Sequence, residues 1–288
     1  MSELVTIGLP FYNDRLTLEL AIKSVFAQTY KNWELILVDD GSTDGSLNIA
    51  RKITDKRVRI ISDGKNKGLI FRLNQIASLA KGKYLARMDA DDLMQPTRIE
   101  RQVEYLENNP EVDLVDTGTY SVYRNETPKG KRGLNDITTD AKEVIKHALL
   151  LHASVTGKTS WFVRNPYDEE YVRGEDYELW CRTFKYSKFR RIKEPLYIVR
   201  EGKINIKNYL KSSQIARKIV KNYGPGVLSF FDLYKTLFIL RSKEFAYTLF
   251  SLINIHHVLV NTRNKKLTPE ERNYVIEIIN QIKKTKIN

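Results

Sequence analysis

The sequence predicts an α/β domain with a largely parallel sheet, because short β-type runs alternate with segments of helical period from Leu4 to Leu106. The runs end in turn-rich or acidic clusters, and the helical segments each place apolar residues on one face. Together these are the marks of strands joined by crossover helices.

Each element has its own warrant. Residues 4–9 are strand-like and stop at Pro10. Leu18, Ala21, Ile22, Val25 and Phe26 recur at i, i+3, i+4, i+7 and i+8, one side of a helix. Residues 34–38 form the second strand, after which Ser42 or Thr43 is expected to cap a helix carrying Leu47, Ala50 and Ile53. Residues 57–61 are the third strand. A helix over residues 69–80 ends at Gly82, and residues 83–88 are the fourth strand. Pro96 suits the first turn of a helix that carries Ile99, Val103 and Leu106.

Of the 288 residues 42% are hydrophobic, a globular share, and the length suffices for one large domain with an appendage. The single cysteine, Cys181, excludes an internal disulfide framework, and no charged-then-apolar leader opens the chain, so a cytoplasmic location is expected. Net charge is +13, unevenly spread: residues 203–288 carry 16 Lys/Arg against 5 Asp/Glu, leaving 32 against 30 in residues 1–202. A nearly neutral body with a basic tail points to a polyanionic partner. No zinc spacing, RNA-binding aromatic motif, dinucleotide fingerprint or Walker loop occurs, which argues against nucleic-acid-binding, dehydrogenase and ATPase readings.

Open α/β sheets bind ligands beyond the carboxyl ends of their strands, and three clusters fall there: Pro10-Phe-Tyr-Asn-Asp14, Asp39-Asp-Gly-Ser-Thr-Asp-Gly45 and Asp89-Ala-Asp-Asp92. Crowded aspartates repel one another unless something compensates them. Mg²⁺ or Mn²⁺ takes oxygen ligands and commonly combines one or two carboxylates with substrate phosphates, so Asp-x-Asp at a strand end implies a metal that clamps a diphosphate. Farther on, Glu175 and Asp176 stand at the expected start of a helix. Either they complement its dipole or Asp176 is a general base, and periodicity does not choose between the two.

Taken in order, PFYND, SVFAQTYKNWELILVDDGSTDGS, ARMDADD followed by PTRIERQ, and GEDYELWCR resemble the family 2 inverting nucleotide-sugar glycosyltransferases of GT-A fold, over residues 4 to about 201. The resemblance implies a catalytic domain at 1–202, with a nucleotide-binding half at 1–115 and an acceptor half at 116–202; charge and helical spacing make 203–288 a basic, amphipathic helical region. It implies that Pro10, Tyr12 and Asp39 hold the base of a UDP-sugar, that Asp89 lies by ribose and metal, that Asp91 is the main ligand of Mn²⁺ or Mg²⁺, and that Asp176 is the base. Glu175 is expected to touch a glycan or lipid-linked acceptor. The implied activity is metal-dependent, inverting transfer in surface polysaccharide biosynthesis. The Gln-x-x-Arg-Trp of processive relatives is missing, so one sugar per encounter is expected. Arg200 stands where many relatives have a histidine. It cannot ligate a cation but could pair with the diphosphate.

His152 reads as structural rather than catalytic, and the polar stretch 124–133 reads as a mobile loop. In the tail, Ile206, Leu210, Ser213, Ala216, Val220 and Tyr223 recur at helical spacing, and an aromatic and aliphatic stretch runs over 228–260. Its longest charge-free span, 245–262, contains two histidines and is a poor transmembrane helix. These helices either pack on the core or face an anionic membrane from its inner side. A non-catalytic protein that binds nucleotide sugars or an anionic surface is the competing reading, and turnover discriminates the two.

Overall fold

The structure, a computed structural model, describes residues 2–138, 140–202, 205–252 and 264–287. Its frame is a run of parallel strands in the order β3-β2-β1-β4, where β1 is Val5–Phe11, β2 Trp33–Asp39, β3 Val58–Ser62 and β4 Tyr84–Arg87. The sheet continues through β8 (Thr156–Lys158), β6 (Leu114–Tyr123), β9 (Phe189–Glu201) and β5 (Leu93–Met94), which adds antiparallel pairs and one further parallel pair, β6 with β9. Strand β2 is buried on both sides: Trp33, Leu35 and Leu37 join one core cluster, while Ile36 and Val38 join another. That is why it reads as a continuous apolar run rather than an alternating one.

Helices cover both faces. On one side lie α1 (Leu18–Phe26), α2 (Ser46–Ala50) and α4 (Arg98–Asn108); on the other are α3 (Leu69–Leu79), α5 (Ala141–Lys146), α6 (Thr159–Arg164), α7 (Glu175–Thr183) and α8 (Ile206–Tyr223). The apolar face expected for the first helix is the buried face of α1. Helix α9 (Phe230–Leu252) lies on α8, and α10 (Pro269–Lys284) covers β6 and β9 with Val275, Ile278, Ile279 and Ile282. The tail helices therefore have contacts with the body. Residues 253–262 of the charge-free span lie outside the described residues. Among the described residues no helix is long and apolar enough to cross a membrane.

Several expectations need correction. Residues 124–133 are not a loop: β7 (Pro128–Arg132) pairs antiparallel with β6 after a turn in which Glu126 has φ +67°. This polar strand is held by ion pairs, Lys129 and Arg132 to Glu201 and Lys131 to Glu271. Neither Ser42 nor Thr43 caps α2. Asp44 accepts from Ser46 N at 2.9 Å, and the Ser42 hydroxyl accepts instead from Asn13 N at 3.0 Å; Ile53 falls beyond the helix. Pro96 precedes α4, whose N-cap is Thr97.

Candidate active site

Parallel β1, β2, β3 and β4 deliver their carboxyl ends to one edge, and hydrogen bonds tie the loops there into a single rim. Asn13 adopts φ +57°, its amide donates to Ser42 Oγ, and its Oδ1 accepts from Thr43 N at 2.8 Å. Arg15 N donates to Asp44 at 2.9 Å. Gly41, at φ +77°, lies where a Cβ would come within 2.8 Å of the Lys65 backbone, so only glycine lets these two loops touch. Asp40 also lines the pocket that opens at this edge and is anchored there: it accepts from Lys67 N, Gly68 N and the fully buried Arg72, whose guanidinium also reaches Asp63.

Within the rim opens a pocket of about 370 Å³ lined by Pro10, Tyr12, Asp14, Asp89, Asp91 and Leu69, among others. Four of the expected donor-site residues thus come together. Asp39 is buried and outside that lining, with Oδ1 accepting from Ser42 N at 2.9 Å and Oδ2 from Ser62 Oγ at 2.8 Å. The acidic loop 89–92 is pinned from below by β9. Asp89 N donates to Tyr197 Oη at 3.1 Å, and Arg200 N donates to Asp92 at 2.8 Å.

Carboxylate oxygens of Asp89, Asp91 and Asp92 lie within 4.8 Å of one another. Asp91 reaches the cleft mouth, but enclosure by protein, then the charges of Asp89 and Asp14, push its pKa up to about 6. Burial, then Asp89 and Asp91, pushes Asp92 well above the usual carboxylate range. Asp14 is raised too, by burial first. An all-oxygen, mutually repelling donor set of this kind fits a hard divalent cation such as Mg²⁺ or Mn²⁺. Asp92 is a third carboxylate that the Asp-x-Asp reading passed over, although it stands beside the motif. The Arg200 guanidinium, expected as a possible partner of the diphosphate, donates to the Asp91 carbonyl at 2.8 Å and to Glu126 at 3.0 Å.

A second pocket, about 480 Å³, adjoins the first and shares Gly68 and Leu69 with it. Glu175, Asp176, His152, Arg173, Phe71 and Ser212 are among its lining residues. Helix α7 begins at Glu175, so both acids sit in its first turn. Gly174 permits this placement, since a Cβ there would meet Ile215 of α8 at 2.5 Å. Burial, then the charge of Glu175, pushes Asp176 up to about 6, against the opposing pull of the Tyr177 amide and Arg87. His152 holds Tyr167 Oη at 2.8 Å through Nε2 and packs against Trp180, and burial keeps it neutral, in line with a structural role.

Near both pockets lies Arg87, unnoticed in the sequence because it closes the apolar run of β4. Its Nη2 pairs with Asp89 at 2.8 Å, its charge is felt by Asp176, and its Nε and Nη1 are buried without partners.

Comparison with known proteins gives a consistent result. The sequence model described as Glycosyl transferase family 2 matches residues 6–172. The putative glycosyltransferase EpsE of Bacillus subtilis is 37% identical over 206 residues, 68% of this chain and 73% of that protein. A UDP-Glc:α-D-GlcNAc-diphosphoundecaprenol β-1,3-glucosyltransferase, WfaP of Escherichia coli, is 28% identical over 226 residues, 75% of this chain and 87% of that one. Among solved structures, S. aureus TarS in complex with UDP-GlcNAc superposes with TM-score 0.62 at 17% identity, covering 96% of this chain and 80% of that chain. The Pyrobaculum calidifontis mannosyltransferase PcManGT, in complex with GDP-Man and Mn²⁺, gives 0.60 at 16%, covering 97% and 85%. The fold is thus that of the GT-A transferases.

Proposed function

Since the chain belongs to glycosyl transferase family 2 and is a glycosyltransferase, we propose that it moves a sugar from a UDP-sugar to a hydroxyl of a glycan or lipid-linked acceptor, with metal dependence and inversion, one sugar per encounter, in surface polysaccharide biosynthesis. The observation that carries this reading is the junction of the two pockets along Gly68 and Leu69, one lined by Asp89 and Asp91, the other by Asp176. The complexes of TarS with UDP-GlcNAc and the named donor and acceptor of WfaP support the UDP-sugar and the lipid-linked acceptor.

In this reading the Pro10 backbone and the half-exposed Tyr12 ring form the platform for uracil, and Asp39 accepts from its ring N–H. Asp39 is buried behind the pocket lining, and Ser42 and Ser62 fix its carboxylate from two sides, so this contact requires the rim to open towards it. Asp91 and Asp89 hold the cation, with Asp92 as the third oxygen donor. A bound Mg²⁺ or Mn²⁺ supplies positive charge to the leaving diphosphate. PcManGT with GDP-Man and Mn²⁺ supports the metal, and in this reading Asp39 carries the base specificity.

Asp176 takes the acceptor proton as the hydroxyl oxygen attacks the anomeric carbon and the bond to the diphosphate oxygen breaks. A single displacement inverts the anomeric centre and needs no nucleophilic carboxylate. With a pKa of about 6, Asp176 is ionised at neutral pH and is a stronger base than an exposed aspartate. Glu175, which lines the same pocket, binds the acceptor in this reading. In this reading residues 1–115 grip the donor and 116–202 most of the acceptor, with Phe71 and Ser212 completing the acceptor pocket from outside that half.

A panel of nucleotide sugars tests the proposal, with hydrolysis or transfer followed in Mn²⁺ and in EDTA. Metal-dependent turnover of a UDP-sugar is expected. Protection of the fold by UDP with no turnover of any donor would leave only the binding-protein reading, and equal protection by guanosine diphosphate would remove the uracil role of Asp39.

A further inference from the structure

Helix α9 has two dissimilar faces. Its inner face is partnered: Leu233, Leu237 and Leu240 pack on the core cluster beneath, Glu244 pairs with Arg217 of α8, and the Tyr247 ring lies 3.9 Å from that of Tyr209. Its outer face carries Phe231, Phe238 and Phe245, which are 74%, 72% and 71% exposed. Spaced by seven residues, two helical turns with a drift of about 20°, they form one stripe along the helix. Tyr234 and Leu249 extend it, also exposed. A soluble surface rarely lines up so much aromatic area without a use for it.

Charge says what covers the stripe. Lys235 lies on one side of it and Arg241 on the other, both exposed. The two acids of α9 are elsewhere: Asp232 is bonded to Ser229, and Glu244 is turned inward to Arg217. A second copy of the chain is a poor fit, because an isologous helix pair would set Lys235 and Arg241 against their own kind with no facing carboxylate. Arg241 would also occupy a core position of the heptad defined by the three phenylalanines. Aromatic rings flanked by cations match instead the headgroup region of an anionic bilayer, where rings rest at the polar boundary and Lys/Arg meet lipid phosphates.

We propose that the outer face of α9 is a peripheral docking surface for an anionic phospholipid membrane. The inference rests on α9 and not on the assignment of the active site. It has a functional consequence, because α8, on which α9 packs, contributes Ser212 to the pocket of Asp176. Docking would bring that pocket to within about two helix-packing distances, roughly 16–20 Å, of the lipid. A sugar acceptor carried on a lipid would then enter the pocket from the membrane side.

The test is flotation of the full chain with vesicles of phosphatidylcholine, with and without phosphatidylglycerol. Two double variants are compared, Phe238→Ser with Phe245→Ser, and Lys235→Gln with Arg241→Gln. All four side chains face solvent, so the variants should keep the parent's melting temperature, and nucleotide protection reports on the active site separately. Expected are binding only to vesicles with phosphatidylglycerol, weakening as salt rises, and a loss of about tenfold or more in partition for each double variant. Failure of the parent to bind these vesicles, or unchanged binding by both variants, overturns the proposal. A dimer in vesicle-free solution that the phenylalanine variant dissolves would also overturn it, by assigning the stripe to a second copy.

Discussion

Asp91 and Asp176, which the proposed function gives different roles, share one anomaly. Both carboxyls are pushed up to about 6, chiefly by burial, so the folded protein holds their protons more tightly than the unfolded chain does. The stability each contributes is complete below the unfolded pKa of about 4 and is lost as pH rises through about 6. Two outcomes follow. Asp176→Asn should melt above the parent at pH 7–8 and lose that advantage below about pH 4, by thermal unfolding across pH. A lower melting temperature at pH 8 would mean that the ionised carboxylate is stabilised rather than strained. For Asp91→Ala, metal should no longer raise the melting temperature, transfer should be abolished and donor affinity should fall sharply, since the diphosphate would meet Asp89, Asp92 and Asp14 without an adequate counter-charge. Full activity of this variant, or of the parent in EDTA, would remove the metal role. The transfer rate of the parent should rise with pH through about 6 as the base ionises, and a pH profile without that limb would point to a different base.

At the scale of elements, the position of Asp176 depends on how closely α7 and α8 meet. A Cβ at Gly174 lies 2.5 Å from Ile215 Cγ2, so Gly174→Ala should cost about 1–3 kcal/mol and slow transfer by shifting the start of α7. Adding Ile215→Ala should recover the rate, and a single variant as stable and active as the parent would show that the packing is slack. The same scale explains what could be read from sequence. Strands β1, β2 and β4 and helix α1 are legible because local apolar periodicity and burial coincide in them. The β6–β7 hairpin is illegible because Lys129, Lys131 and Arg132 look like loop residues until Glu201 and Glu271 arrive from far along the chain. Ser42 looked like a helix cap for a similar reason. Its true partner, Asn13, lies 29 residues away.

Over the whole molecule, the acidic edge belongs to a nearly neutral body and the excess positive charge to the tail. The clustered acids were readable because aspartates at strand ends are costly without a ligand, whereas Asp92 and Tyr197 gain their partners only when β9 comes beneath the loop that follows β4. The tail's charge was visible, but which face of α9 stays open depends on α8. The central claim is that Asp176 removes the acceptor proton, and Asp176→Asn tests it most directly, because the amide can still serve a helix N-terminus while it cannot accept the proton. Donor binding, titrated in Mn²⁺, should stay near that of the parent because Asp39, Asp89 and Asp91 are untouched. Initial transfer rates at saturating acceptor should fall by about 10²–10⁴. A variant that transfers within a few-fold of the parent would contradict the claim and make Glu175 the next residue to replace.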